Sequence, residues 1–156
     1  MPAPFFCTRL VDITNIPQHH AMQAIHPIRS QWPPGTLVIQ IATFNEAASI
    51  GSLIQAIHTA VPHAQILVID DSSPDGTAQI VAYETEKNER VHLLLRTDRR
   101  GLGTATLEGI QWAQKRGADV LIHLDGDLSH NPVDIPRLIA ALTPPDEMPF
   151  DIAIGS

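Results

Sequence analysis

Ile66-Leu67-Val68-Ile69-Asp70-Asp71-Ser72-Ser73-Pro74-Asp75-Gly76-Thr77 is the stretch from which the fold can be read. Its first four residues are apolar without alternation, the pattern of a short strand covered on both faces. Two acids follow, then Pro-Asp-Gly, the turn residues of a strand-to-helix loop. A helix is predicted over residues 77–86. The same order of apolar run, polar turn and helical segment recurs on both sides. Residues 37–41, 91–95 and 120–124 are further strand-length runs, and 150–154 could begin another. Ile50, Leu53, Ile54, Ile57 and Val61 fall at helical spacing after Asn45, a residue type suited to an N-cap, and Pro62 closes that segment. A weaker helical pattern covers 104–116 and ends at Gly117, where a C-terminal cap favours glycine. Pro132 suits the first turn of a helix reaching about residue 142. Four alternations of strand and helix predict an α/β fold, a mainly parallel sheet flanked by helices with right-handed crossovers. Ligands of such sheets lie beyond the carboxyl ends of the strands.

Bulk properties narrow the function. The chain has 156 residues, 44% of them hydrophobic, enough for a core that needs no disulfide or metal staple. Its formal net charge of −7 argues against nucleic acid as a partner, because such binding rests on phosphate neutralisation. An anionic small substrate would need a bridging cation. Cys7 is the single cysteine, so no intramolecular disulfide is possible and a cytoplasmic setting is the default expectation. No apolar run approaches the roughly 20 residues that span a bilayer, and the first residues lack the pattern of a secretory signal. No anchor or leader is therefore expected. Residues 1–35 hold six of the thirteen prolines together with His19, His20 and His26, and read as an irregular extension. Residues 36–156 read as the folded domain.

The chemistry collects at the predicted strand ends. Thr43-Phe44-Asn45-Glu46 follows the first strand, Asp70-Asp71 the second and Asp125-Gly126-Asp127 the fourth. Carboxylates gathered on one edge repel each other unless a cation or a donor-rich ligand is present, and Mg²⁺ or Mn²⁺ suits hard oxygen ligands. Asp125 and Asp127 are the strongest candidates, with Gly126 leaving room for a diphosphate to approach; a turn with solvated aspartates is the plain alternative. Arg99-Arg100-Gly101-Leu102-Gly103 invites a dinucleotide reading, but Thr106 stands where the third glycine belongs, so a flexible loop is expected instead. His123, inside a strand, reads as a satisfied half-buried histidine. His130 is the better neighbour for a site.

In order, these blocks resemble family 2 glycosyltransferases of the GT-A fold, and among them the dolichyl- or polyprenol-phosphate mannose synthases. Residues 41–46 are similar to the family's Pro-Thr-Tyr-Asn-Glu block, and 68–77 to its Val-Asp-Asp-x-Ser-Pro-Asp-Gly-Thr block. Residues 101–105 and 124–130 are similar to Gly-Leu-Gly-Thr-Ala and Asp-Ala-Asp-Leu-Ser-His. The resemblance implies inverting transfer of mannose from GDP-mannose to a polyprenyl phosphate, dependent on Mg²⁺ or Mn²⁺. It assigns the sugar nucleotide to Ala42, Phe44, Glu46, Ile69, Asp71, Asp125, Gly126 and Asp127, and the metal to Asp125 and Asp127, with Asp127 the main ligand and catalytic residue. The lipid acceptor implies a peripheral position at the cytoplasmic membrane face. Ala42 stands where the family has proline and Phe44 where it has tyrosine, which keeps a stacking face and loses a hydroxyl. Gly155-Ser156 ends the chain where the family continues with Arg-Tyr, so the arginine expected to help hold the phosphates is absent from this sequence.

Two rivals remain at this point. The first is a non-catalytic module, truncated, that still holds a sugar nucleotide. The second is a haloacid-dehalogenase-type phosphatase, since residues 121–129 also resemble its strand followed by Asp-x-Asp, with Asp125 as nucleophile. That motif normally opens its domain, whereas here three strand-helix units precede it.

Overall fold

The computed structural model describes residues 10–12, 37–97, 101–142 and 152–154. They form two compact units, one of residues 33–133 and one of residues 1–32 with 134–156.

The first unit is the predicted α/β sheet. Its strands are β2 (Leu37–Thr43), β3 (Gln65–Asp70), β4 (Val91–Leu95) and β5 (Val120–Asp125), in the spatial order β4-β3-β2-β5 and all parallel. Between them run α1 (Ile50–Ala60), α2 (Thr77–Lys87) and α3 (Leu102–Lys115). In the central strand β2, Val38, Ile39, Gln40 and Ile41 are all completely buried, which requires cover on both faces of the pleat. Val38, Leu67 and Ile69 pack with Ala105 and Ala113 of α3, and Trp112 closes over the same cluster. Ile50, Leu53, Ile54 and Ile57 put the apolar stripe of α1 out of solvent entirely, each worth about 1.5–3 kcal/mol of transfer free energy.

The caps explain where the helices start and stop. Gly117, with φ of 66°, closes α3 as the glycine rule anticipates. Its amide donates to Gln114 O and the next amide, of Ala118, to Ala113 O, the paired bonds of a Schellman motif. Asn45 is not the N-cap of α1. It adopts a left-handed φ of 64°, which asparagine tolerates, and the helix begins at Ile50 with the Glu46 carbonyl accepting the amides of Ser49 and Ile50. The glycine-rich stretch also departs from expectation. Leu102 and Gly103 belong to the first turn of α3, which begins two residues before the expected start at 104, and the buried Arg96 reaches the Gly101 carbonyl at 3.4 Å and the Thr104 hydroxyl at 2.5 Å. Arg99 and Arg100 lie outside the described residues.

The second unit contains β1 (Leu10–Asp12), α4 (Ile135–Leu142) and β6 (Ile152–Ile154), with β1 and β6 paired in parallel. Thus a strand occurs within the stretch expected to be irregular, and the strand expected over 150–154 is present. Cys7, His19, His20 and His26 fall outside the described residues.

Three half-buried histidines, His58, His92 and His123, are held below their ordinary pKa by burial, and the first two lie away from the cleft. His92 on β4 hydrogen-bonds Gln65 Oε1 through Nε2 at 2.7 Å and stands tilted against Trp112, with ring centroids 4.9 Å apart. Burial, and then the Arg116 charge, pushes its pKa below 6.5. His58 on α1 is paired with Asn88 at 2.7 Å; burial first and Arg90 second push it down also, against a smaller upward pull from Glu84. A histidine depressed in the fold leaves the unfolded chain to bind the proton first. Stability should therefore be level at high pH and fall as pH drops below 6.5 toward the folded values. Urea midpoints at pH 7.5 and 5.5 should differ in that direction, and His58→Gln/His92→Gln should shrink the difference; an unchanged difference would contradict it.

Candidate functional site

The site is built on the loop joining β2 to α1, and that loop is held by the loop joining β3 to α2. Ser73 Oγ accepts the Asn45 amide at 2.9 Å, Thr77 Oγ1 the Glu46 amide at 2.9 Å and Asp75 Oδ2 the Ala47 amide at 2.9 Å. Three successive amides are each taken by a different side chain. The acceptors are themselves tied down: Thr77 gives its hydroxyl and amide to Asp75 Oδ1, and Ser73 gives its hydroxyl to Asp70 Oδ2. Hydrogen bonds from Thr77 and then from the Ala47 amide hold the Asp75 carboxyl below its ordinary value. The composition of 72–77 could be explained by a bare turn; its fastening role across the sheet needed three dimensions.

The two adjacent aspartates divide structural work. Asp70, fully buried, accepts the Ser73 amide at 2.9 Å and the hydroxyls of Thr43 and Ser73. Asp71 faces the cleft, yet most of its carboxylate is engaged: Oδ2 accepts the Gly101 amide at 2.8 Å and Oδ1 lies 3.2 Å from Arg96 Nη1. The side chain of Arg96 is 3% exposed, and Glu108 lies 3.7 Å from its Nε, so a charge that expensive to bury is shared between two carboxylates. Asp71 and Arg96 thereby lock the start of α3 to the end of β3. Sequence reasoning passed over Arg96, whose signal was a charged residue directly after an apolar run.

Asp125-Gly126-Asp127 emerges from the end of β5. Asp125 stands between two imidazoles, with Oδ1 3.8 Å from His123 Nε2 and Oδ2 3.8 Å from His130 Nδ1. His130 Nδ1 also accepts the Asp125 amide at 3.4 Å, so it is a neighbour of the site as expected. Asp127 is exposed, and Ser129, through its hydroxyl and then its amide, holds the Asp127 carboxyl below its ordinary value. It is ionised at neutral pH. Gly126 serves differently from the sequence reading. A Cβ there would lie 2.9 Å from Thr43 Cγ2 and 3.0 Å from Glu46 Cγ, so the missing side chain admits protein, not a diphosphate. Its carbonyl accepts the Ser49 hydroxyl at 2.7 Å, fastening this loop to the start of α1.

These loops enclose an open cleft of about 490 Å³ beyond the carboxyl ends of β2, β3 and β5. Ala42, Phe44, Glu46, Ile69, Asp71, Asp125, Gly126 and Asp127 all line it, as do Thr43, Gly101, Leu102 and Ala105. Every residue singled out for the sugar nucleotide is thus in one place. Phe44 is 48% exposed and Leu102 57%, apolar surface at a cleft otherwise marked by carboxylates. Among the described residues no group of three or more His, Cys, Asp or Glu side chains could hold a metal. The donor set at Asp125 and Asp127 nevertheless fits Mg²⁺ or Mn²⁺ of the kind that uses one or two carboxylates and takes its other ligands from water and substrate phosphate.

Residues 38–155 match the model of glycosyl transferase family 2. The chain is 41% identical over 116 residues to an undecaprenyl-phosphate mannosyltransferase of Micrococcus luteus, covering 74% of this chain and 46% of that protein. It is 41% identical over 122 residues to a polyprenol monophosphomannose synthase of Mycolicibacterium smegmatis, covering 78% and 44%. The chain therefore spans less than half the length of these relatives. Among solved structures, a mannosyltransferase from Pyrobaculum calidifontis in complex with GDP-Man and Mn²⁺ superposes with a TM-score of 0.59 at 20% identity, over 81% of this chain and 41% of that one.

Thr77 gives the most direct test of the fastening between loops. It is fully buried, and Thr77→Val keeps its shape while leaving the Glu46 amide without its acceptor. A loss of about 1–3 kcal/mol in stability is expected, with faster hydrogen exchange at Glu46. Unchanged exchange there would show that the loop is held by other means.

Proposed function

The chain belongs to glycosyl transferase family 2, and from that premise we propose that it forms the donor-binding part of an inverting mannosyltransferase acting on GDP-mannose and a polyprenyl phosphate. The observation that carries the reading is the convergence of all eight sequence-selected residues on one cleft at the strand ends. Family membership over residues 38–155 leaves the phosphatase alternative without support. The names of the relatives supply the sugar and the class of acceptor.

In this reading Phe44 offers its ring face to the nucleoside, with Glu46 beside it. Ala42 and Ile69 shape the apolar floor. Asp71 acts mainly through the Gly101 amide and Arg96 that it holds, and so sets the wall formed by α3. Asp125 and Asp127 would hold the divalent cation, which when bound offsets the charge of the departing diphosphate. The attacking lipid phosphate, with its second pKa near 6, is largely ionised at neutral pH and needs no strong general base from the protein. Electrostatic stabilisation of the leaving group is then the main demand on this cleft. A setting at the cytoplasmic membrane face fits an acceptor of this kind; no helix among the described residues is long and apolar enough to cross a membrane.

The cation dependence is the testable core. Because Asp125 and Asp127 are too few to cage an ion and too anionic to accept bare GDP, each ligand should bind well only with the other. Calorimetry should show GDP-mannose binding with Mn²⁺ and a fall of tenfold or more in EDTA, on the order of one lost charge-assisted contact. Asp127→Asn should reproduce most of that loss with the metal present. Equal affinity with Mn²⁺ and with EDTA would remove the metal role from both aspartates.

A further inference from the structure

Gln40 is an unusual residue for the middle of a central strand. It is completely buried, between Ile39 and Ile41, and its Oε1 has no hydrogen-bond partner among the described residues. The oxygen lies against the backbone of Gly109 in α3, where a Cβ would overlap both Oε1 and Cδ of the amide. A helix interior disfavours glycine by roughly 0.5–1 kcal/mol relative to alanine, so a helix position and a strand position are both shaped around this one side chain. A buried amide with an unmet acceptor also costs about 1–3 kcal/mol, which a branched apolar residue at position 40 would avoid. Packing alone does not account for it.

The other end of the amide does. Gln40 Nε2 lies 3.2 Å from His123 Nδ1, on the neighbouring strand and at the paired register position. The amide is placed with Oε1 toward Gly109 and Nε2 toward His123. Nε2 therefore donates, Nδ1 accepts, and the ring proton resides on His123 Nε2. That nitrogen lies 3.8 Å from Asp125 Oδ1, an electrostatic contact longer than a hydrogen bond. A polar chain thus runs from the buried centre of β2 through β5 to the carboxylate at the cleft. It passes from a fully buried residue to a half-exposed one, with no backbone group in between.

We propose that Gln40 and His123 are positioning residues for Asp125: Gln40 sets the tautomer and ring plane of His123, whose Nε2–H then orients the Asp125 carboxylate toward a cation-diphosphate ligand. The inference rests on the reading of Asp125 as part of the metal site. It adds to that reading a second layer of residues, of the kind that fixes the lone-pair direction of a ligating carboxylate, and whose loss typically weakens metal binding by about 10- to 100-fold.

The test separates positioning from packing, because the two give opposite signs. The full chain is titrated with Mn·GDP by calorimetry, and its urea midpoint is measured in parallel, for Asp125→Ala, His123→Val, Gln40→Val and the double variant. His123→Val should weaken Mn·GDP by about tenfold. Gln40→Val, which leaves the imidazole in place but frees its tautomer, should also weaken it, and the double variant should be no weaker than His123→Val, within about twofold. The urea midpoint of the double variant should hold or rise, since replacing both members of a buried polar pair by apolar groups is close to neutral or stabilising, whereas each single variant leaves one member unpaired and should lower it. If His123→Val fails to fold, Gln40→Val alone decides. Wild-type affinity in the Gln40 and His123 variants, with binding lost in Asp125→Ala, would overturn the positioning role alone. Wild-type affinity in Asp125→Ala would overturn the metal reading and this inference together.

Discussion

The whole site depends on three amides. Asn45, Glu46 and Ala47 leave the end of β2 pointing their N–H groups away from any ladder partner, and Ser73, Thr77 and Asp75 take one each. The Glu46 amide is half-buried and must be paired, a parallel sheet offers no hairpin to do it, and the exposed Asn45 and Ala47 contacts flank it. Here the partner loop supplies side chains in place of backbone. Because Ser73 is tied to Asp70 and Thr77 to Asp75, the contact is braced from the β3 side. Phe44 and Glu46 owe their place at the cleft to this fastening.

Around it, the charges are arranged so that the fold uses one set and leaves another. Asp70 and Asp75 are consumed by hydrogen bonds, and Asp71 by Arg96 and the Gly101 amide. Asp127 stays exposed and ionised, and Asp125 half-exposed between two imidazoles. What the cleft presents to a ligand is the pair after β5, since Asp70, Asp71 and Asp75 are engaged within the fold. A phosphate-bearing ligand without a cation would meet uncompensated repulsion there.

Much of this was legible in the sequence because each strand declared itself as a mostly apolar run of strand length and each loop after it began with polar or acidic residues. The βα order, the sheet class and the acids at the strand ends follow from that pattern, while Ala42 and Ile69 came into the site only through the resemblance to family 2 glycosyltransferases. What could not be read was the allocation of roles. Asn45 has the composition of a helix cap, yet its amide was claimed by Ser73 and its backbone went left-handed. Gly126 has the size to admit a ligand, but Thr43 and Glu46 fill the space. Gln40 breaks the apolar run by one residue, and only the packing of Gly109 and the register with His123 show what it touches. Long-range partners decide such cases, and periodicity carries no information about them.

The central claim is that a cation and a nucleoside diphosphate meet at the carboxyl ends of these parallel strands, against Asp125 and Asp127. Paramagnetic broadening of backbone amide resonances by Mn²⁺ in the presence of GDP, referenced to Mg²⁺ and GDP, tests it most directly. The account expects broadening centred on residues 125–127 and 130, extending to Gly101 and the 43–46 loop, with the amides at the opposite ends of the same strands, such as Val38, Ile66 and Leu121, left sharp. Broadening centred anywhere else, or none at concentrations where GDP binds, would contradict it.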